Sequence, residues 1–121
     1  MSEAVYSGGT LGQFQPRQRA VTIDDLPTFR LREISSGRYH DLVRYQRSRI
    51  DGETCPQGQA SWIAASLVDA DGNVVFADLA DAADMIYAEW PNRVTRELFG
   101  AAAWVNGLTD GEQGELAEKN S

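Results

Sequence analysis

Residues Trp62–Phe76 read W-I-A-A-S-L-V-D-A-D-G-N-V-V-F, two uncharged apolar runs separated by an acidic segment that contains glycine. In the first run, Ile63, Leu67 and Val68 are spaced i, i+4 and i+5, which favours one face of a short helix. The window is short, so a strand over Trp62–Val68 is the alternative. Under either interpretation this stretch belongs to the core.

The segment between the two runs has the composition of a tight turn. Asp71-Gly72 supplies residue types that tolerate positive φ, and Asn73 adds a side chain that bonds to nearby backbone. We therefore predict that the chain reverses here and that Val74–Phe76 is buried again after the turn.

The same turn has part of the pattern of a calcium-binding loop. That loop requires oxygen ligands at positions one, three and five, glycine at six and glutamate at twelve. Counted from Asp69, the oxygens of Asp71 and Asn73 fit, but Gly72 comes too early and Ala80 replaces the glutamate. The pattern favours an acidic turn facing solvent, and no metal ligand is predicted.

Composition indicates one globular domain. The chain has 121 residues, of which 42% are hydrophobic and 24% charged, values that are ordinary for a folded domain. There is neither an apolar run long enough to span a bilayer nor a secretion signal at the start, so we expect a cytoplasmic location. The single cysteine, Cys55, is predicted in a loop, and the single histidine, His40, on a helix surface.

Charge is distributed unevenly. The net charge is −7, with a balance of +1 over residues 1–60 and −8 over residues 61–121. An acidic chain lacks the basic footprint of a nucleic-acid-binding protein. The imbalance suggests an electrostatic contact within the fold, between copies or with a basic partner. The alternative is that the acids serve only solubility.

The N-terminal region predicts an arm followed by a β-hairpin. Residues 1–18 are rich in Ser, Gly and Gln and have no periodic apolar face, which is typical of a flexible arm. Two strands are predicted at Arg19–Ile23 and Thr28–Ile34, because Phe29 and Leu31 alternate with arginines and a D-D-L-P turn lies between the strands. An isolated hairpin is marginal in water, so its apolar side must pack on helices or on another copy.

A basic amphipathic helix is predicted over about Ser36–Arg49, with an N-cap in Ser35-Ser36-Gly37. Its apolar face is predicted to comprise Tyr39, Leu42, Val43, Gln46 and Ile50. The remaining side chains give it a basic outer surface. We predict a candidate protein-contact surface made of Arg38, Arg44, Tyr45, Arg47 and Arg49. The alternative is that these arginines are solvated and cover apolar area.

Two more helices follow the turn. The first is capped by Asp78 or Asp81, has Asp81 and Asp84 in its first turn, and ends before Pro91. Its inward face is predicted to be Leu79, Ala82, Ala83, Ile86 and Trp90. The second begins near Pro91-Asn92 and ends at Asn106-Gly107. Its stripe is predicted to be Val94, Leu98, Ala101, Ala102 and Val105.

Small side chains at Ala101–Ala103 would allow another helix to approach closely. Residues 109–121 form an acidic tail that we predict to be mobile. Of Trp62, Trp90 and Trp104, two are expected to be mostly buried.

The predicted fold class is therefore α+β and mainly α, with an N-terminal β-hairpin followed by about four short helices in a single globular domain over residues 19–108. Phosphate-binding glycine loops, the G-x-S-x-G nucleophile turn and the H-E-x-x-H metal helix are all missing from the sequence. We predict no catalytic, cofactor-binding or metal residues, and no enzymatic activity.

The order of the segments resembles a known family. The chain has, in sequence, R-L-R-E-I-S, a basic helix, V-D-A-D-G-N-V-V-F at Val68–Phe76, an acidic-start helix, A-A-A-W-V-N-G-L and a final E-K-N-S. Over Val21–Ser121 this resembles the tail assembly chaperones of long, non-contractile-tailed, lambda-like bacteriophages. The most specific parts are Val68–Phe76 and the N-G-L…E-K-N-S ending at Asn106–Ser121.

The resemblance implies a mostly helical protein that is absent from the finished virion. Members bind the tape measure protein and keep it soluble until tube subunits polymerise around it. They self-associate, and many have a longer, frameshifted form. No family motif assigns functional residues here. Two alternatives stay open: an antitoxin-like or transcription-accessory binding module, and a small metal-dependent hydrolase using Asp69 and Asp71.

Overall fold

The computed structural model describes residues 5–9 and 14–108. Three strands and four helices follow one another along these residues. The strands are β1 (Gln18–Val21), β2 (Phe29–Arg32) and β3 (Leu67–Val68), and the helices are α1 (Ser36–Ser48), α2 (Gly58–Ser66), α3 (Leu79–Glu89) and α4 (Asn92–Val105). The predicted α+β fold, with an N-terminal hairpin and four helices in a single domain, is confirmed.

The sheet has three antiparallel strands in the order β1-β2-β3. Strands β1 and β2 form the predicted hairpin with Arg19 opposite Leu31, and both strands are shorter than predicted. The third strand was not predicted, because two residues are too short for a period-two pattern. Leu31 faces Leu67 across the strand pair, and both side chains are buried.

The stretch Trp62–Phe76 contains a helix, a strand and a turn. The predicted helix is confirmed up to Ser66, where the chain becomes β3. The turn is confirmed: Gly72 has φ of +85°, and the side-chain oxygen Oδ1 of Asp69 accepts the backbone N–H groups of Asp71 at 2.9 Å and Asn73 at 3.0 Å. This Asx-type arrangement holds the reversal in place.

The predicted burial of the second apolar run is wrong. Val74 is 42% exposed, Val75 is 48% exposed and Phe76 is half-buried. Val74 forms a bridge with Val68, and the N–H of Val75 donates to the oxygen of Leu67 at 3.1 Å. These residues extend the sheet at its edge. The second apolar run therefore pairs its backbone with β3 and leaves both valine side chains exposed.

The core lies where α2 packs on α3 and α4, with β2 and α1 adding side chains around it. Helix α2 contributes small residues, including Ala60, Ala64 and Ala65, all of them buried. Ala101–Ala103 are buried as well. The small-residue stripe of α4 is therefore covered by helices of the same chain.

Helix ends follow the predicted capping pattern. The Ser35 hydroxyl accepts the N–H of Arg38 at 3.1 Å, and Asp78 accepts the N–H of Asp81 at 3.0 Å. Gly107, with φ of +75°, ends α4. Because Asp78 is the cap, Asp81 is the acidic residue in the first turn of α3. The prediction that Asp84 also lies in the first turn is wrong.

Two of the three tryptophans are mostly buried, as predicted. Trp62 and Trp90 pack against the core, whereas Trp104 is 36% exposed. The guanidinium carbon of Arg19 lies 4.2 Å from the centre of the Trp104 ring, and that of Arg17 lies 5.4 Å away. This cation–π stack accounts for an aromatic side chain at the surface.

Two predictions concern segments that fall partly or wholly outside the described residues. The predicted mobile tail at 109–121 lies outside them, as do residues 1–4 and 10–13 of the predicted arm. Arg17, at the end of the predicted arm, donates its backbone N–H to the Glu33 carboxylate at 3.1 Å. None of the four helices combines the length and apolar character needed to cross a bilayer.

Candidate protein-contact surface

Helix α1 carries the predicted contact surface, and its orientation decides which residues are available. Leu42 and Tyr45 are the buried residues of this helix. Tyr39 is 50% exposed, and Ile50, just beyond the helix, is 55% exposed. The inward face is thus rotated from the predicted one, and Arg38, Leu42, Tyr45 and Arg49 lie along it.

Arg38 points into the molecule. Its guanidinium donates to three backbone carbonyl oxygens: Phe76 at 2.8 Å, Ala64 at 3.2 Å and Ala65 at 3.3 Å. Two of these oxygens belong to the last turn of α2, where helical carbonyls have no partner within the helix and where a cation is favoured by the dipole. Burial lowers the pKa of Arg38 from its ordinary value.

Arg49 and Tyr45 are joined to α3 through Asp84. The Tyr45 hydroxyl donates to Asp84 Oδ1 at 2.5 Å, and Arg49 binds both carboxylate oxygens, at 3.1 and 2.7 Å. The hydrogen bond from Arg49, with that from Tyr45, lowers the pKa of Asp84. Burial, followed by the hydrogen bond to Asp84, raises the pKa of Tyr45. Tyr45 is only 5% exposed, so it is removed from the candidate surface.

Arg44 and Arg47 remain exposed on the outer face of α1. They line a cavity of about 530 Å³ with Ser36, Tyr39, His40 and Val43. We call this cavity the α1 groove. Tyr39 packs against Trp62 of α2, with the ring centres 5.9 Å apart. The groove thus combines apolar walls with two arginines and a histidine.

A smaller cavity of about 210 Å³ adjoins the α1 groove and shares Ser36 and Tyr39 with it. Trp62, Asn106 and Leu108 line its other sides. The two cavities therefore lie side by side, with Ser36 and Tyr39 lining both.

Asn106 fixes the geometry of the smaller cavity. Its side-chain oxygen accepts the N–H of Ile34 at 3.0 Å, and its amide donates to Ser66 Oγ at 3.0 Å and to the oxygen of Ala102 at 2.8 Å. One side chain therefore connects the segment after β2, the end of α2 and the last turn of α4.

The acidic turn does not line the α1 groove, whereas the histidine does. Asp69 uses Oδ1 for the turn itself. Within residues 5–9 and 14–108, no three His, Cys, Asp or Glu side chains are grouped so that they could hold a metal ion. His40 is exposed on α1 and Cys55 lies in a loop, as predicted.

A second apolar area lies around Trp90. Its ring centre is 6.0 Å from that of Phe29 and 6.5 Å from that of Phe76, and all three side chains are half-buried. These aromatic contacts connect β2, the segment after the turn and the end of α3. The cluster is part of the packing, with one side toward solvent.

Of the five predicted surface residues, Arg44 and Arg47 are exposed on the outer face, Tyr45 is buried, and Arg38 and Arg49 are partly exposed and hydrogen-bonded within the fold. The structure also adds Tyr39, His40, Val43 and Trp62 to the candidate surface. Sequence reasoning missed Tyr39 and Val43 because an apolar i, i+4 pair looks the same whether it faces a core or a groove. The predicted position of His40 on the surface of the helix was the one feature of the sequence that pointed to this side of α1.

The described part of the chain is thus a small α+β domain whose candidate site is a surface groove on a helix. Searches against protein-family models, curated proteins and solved structures found no match.

Proposed function

We propose that this protein is a tail assembly chaperone of a long, non-contractile-tailed bacteriophage. It binds the tape measure protein in the host cytoplasm, keeps it soluble during tail assembly and is absent from the mature virion. It acts without catalysis and without a cofactor. Its partners are the tape measure protein, further copies of itself and, where one is made, a frameshifted longer form. It binds neither nucleic acid nor membrane.

The observation that carries this proposal is the order and spacing of the segments from R-L-R-E-I-S to E-K-N-S across Val21–Ser121. Each segment is short, and their succession is what resembles the family.

The geometry supports a role in binding another polypeptide. The α1 groove presents Tyr39 and Val43 beside Arg44 and Arg47, which is a suitable surface for one side of an amphipathic helix. The Arg44 and Arg47 side chains have no hydrogen-bond or ion-pair partner among residues 5–9 and 14–108. Charged side chains at the rim of an apolar groove favour encounter with an oppositely charged partner and set its orientation.

Co-expression tests the proposal directly. The protein should be produced together with its proposed client, a tape measure protein, and the soluble fraction of the client measured. We expect the client to be soluble and to co-purify with this chain, and to aggregate when produced alone. Equal aggregation in both cultures, with no co-purification, would refute the chaperone function.

A matched variant separates the groove from the rest of the surface. Arg44→Glu with Arg47→Glu should lower the recovered client at least severalfold. Arg30→Glu with Arg96→Glu changes the net charge equally at two other exposed positions and should leave recovery unchanged. Equal losses in the two variants would show that net charge, rather than the groove, governs binding.

A further inference from the structure

Arg32, at the end of β2, is a half-buried arginine whose side chain has no hydrogen-bond or ion-pair partner within the part of the chain that the structure describes. Arg38 and Arg49 are half-buried as well. Arg38 donates to three carbonyl oxygens, and Arg49 binds the Asp84 carboxylate. A guanidinium that is partly withdrawn from water normally has an acceptor. Arg32 therefore differs from the other two in requiring an acceptor from outside the described residues.

Arg32 lines a small cavity, which we call the Arg32 cavity. It has a volume of about 110 Å³ and lies between the end of β2, the start of α1, the end of α2 and β3. The Nη1 atom of Arg32 lies beside the turn, 3.3 Å from the point where a Cβ on Gly72 would stand. One water needs roughly 10–15 Å³ of such space, so the cavity has room for a group of several heavy atoms.

The polar groups around the Arg32 cavity are mainly hydrogen-bond donors. Ser66 lines it and is 1% exposed, and its Oγ accepts from the Asn106 amide at 3.0 Å. The Ser35 hydroxyl likewise accepts, from the N–H of Arg38 at 3.1 Å. Arg38 uses Nε and Nη2 for its carbonyl bonds. Among residues 5–9 and 14–108, no acceptor takes up the two hydroxyl hydrogens or the N–H groups at Nη1 of Arg38, so these groups can still donate.

Acceptors are fewer at this cavity. Among the described residues, Glu33 is the one carboxylate that lines it, and its Oε1 accepts the backbone N–H of Arg17 at 3.1 Å. Asp41 lines a different cavity, which it shares with Arg38. The Arg32 cavity thus has two guanidinium groups and two hydroxyls against one carboxylate, and this set of groups matches a ligand that supplies acceptors.

We propose that the Arg32 cavity binds a small oxyanion, a carboxylate or a phosphate group, and that Arg32 is its main ligand. The planar guanidinium presents parallel N–H groups that match two oxygens of such a group. The hydroxyls of Ser66 and Ser35 donate to a further oxygen. Arg38 adds a second positive charge at the cavity while it keeps its carbonyl partners.

This site goes beyond the proposed function and does not depend on it. A bound oxyanion would connect the end of β2, the start of α1 and the end of α2. A ligand that binds the folded state alone stabilises that state by mass action. Phosphate or acetate should therefore raise the midpoint of thermal unfolding of this protein.

An NMR titration of the full ¹⁵N-labelled chain at neutral pH tests the proposal. Sodium phosphate and sodium acetate are the two probes, and sodium chloride keeps the ionic strength constant. We expect saturable shifts of the amide peaks of Ser35, Ser66 and Val68, and the probe that saturates at the lower concentration identifies the preferred group. No saturable shift with either probe, or shifts centred elsewhere, would overturn the proposal.

Variants at the cavity and away from it separate a defined site from general attraction by charge. Arg32→Gln should weaken binding of the preferred probe roughly tenfold. Arg96→Gln removes the same charge at an exposed position on α4 and should leave binding unchanged. Equal losses in the two variants would refute a site at Arg32.

A third variant gives the decision if Arg32→Gln does not fold. Glu33→Gln keeps an oxygen for the N–H of Arg17 but removes the negative charge from the cavity. Binding of the preferred probe should then tighten severalfold, because the repulsion between two anions is removed. Unchanged or weaker binding in this variant would contradict an oxyanion at this position.

Discussion

At the residue scale, two charged side chains, Arg38 and Asp84, connect separate elements of this protein through hydrogen bonds. Arg38 donates to three carbonyl oxygens from two separate segments, and Asp84 accepts from Tyr45 and Arg49. Both contacts join elements that are distant in sequence. Hydrogen bonds that involve a charged group are stronger than neutral ones, so each has a measurable consequence.

Replacing Arg38 should destabilise the fold. In Arg38→Ala the carbonyl oxygens of Ala64, Ala65 and Phe76 lose a charged donor, and we expect the free energy of unfolding to fall by about 2 kcal/mol. Arg38→Lys keeps the charge but not the forked donor geometry, so its loss should be intermediate. Urea unfolding followed by circular dichroism measures both.

The control for this prediction lies on the same helix. Arg44→Ala removes an exposed arginine and should change the free energy of unfolding by no more than about 0.5 kcal/mol. Equal effects at Arg38 and Arg44 would mean that the three hydrogen bonds contribute nothing to stability.

The Asp84 contact predicts a dependence of stability on pH. The pKa of Asp84 is lowered in the folded protein, so its contribution is fully present above the ordinary aspartate value and is lost as the pH falls through the lowered pKa. Asp84→Asn should therefore be less stable than the parent at pH 7. The difference should shrink below a pH of about 4.

Urea unfolding at several pH values provides the measurement for Asp84, with Asp81→Asn as the comparison at an exposed site on the same helix. A difference between Asp84→Asn and the parent that stays constant from neutral to acid pH would contradict a lowered pKa.

At the element scale, α4 is stabilised by its buried side chains and by the glycine that ends it. The helix propensity of its residues contributes less, because a glycine lies within the helix. Val94, Leu98, Ala101, Ala102 and Val105 are buried along one side, as predicted. On the exposed side, Gly100 stands in the helix interior, where a Cβ would meet no atom within 4 Å. Beyond the helix, Gly107 adopts φ of +75°.

The two glycines should respond in opposite directions to the same change. Gly100→Ala reduces the entropy lost on folding and should raise the free energy of unfolding by about 0.5–1 kcal/mol. Gly107→Ala forces a side chain into the left-handed region and should lower it by about 1 kcal/mol. Thermal unfolding measures both, and a decrease for Gly100→Ala would show that the position is not open space in solution.

At the scale of the whole molecule, charge is separated along the chain, and the exposed arginines of α1 are available to other copies. If copies associate through them, Arg44→Glu with Arg47→Glu should shift the mass measured by light scattering toward the monomer. Exposed charge pairs are screened, so high salt should have the same effect on the parent protein.

The charge-matched comparison for self-association is Arg30→Glu with Arg96→Glu, at two exposed positions outside α1. That variant should retain the parent mass. An unchanged mass in the α1 variant would remove these arginines from any contact between copies.

Sequence reasoning succeeded wherever the deciding interaction was local. The hairpin, the caps at Ser35 and Asp78, and the stop at Gly107 all depend on residues within a few positions of one another. It failed for Val74 and Val75, whose apolar character predicted burial, because their place at the sheet edge depends on pairing with Leu67 and Val68.

The sequence by itself determined the hairpin, the helices and their approximate limits, since helical and strand periodicities and turn residues act over short distances. Only the tertiary structure decided which side of α1 faces inward and which of its arginines remain outside. Arg38 and Arg49 look like surface residues in the sequence. Their partners, the end of α2 and Asp84 on α3, are brought to them by packing, and the energy of a charged hydrogen bond depends on where those partners lie in space.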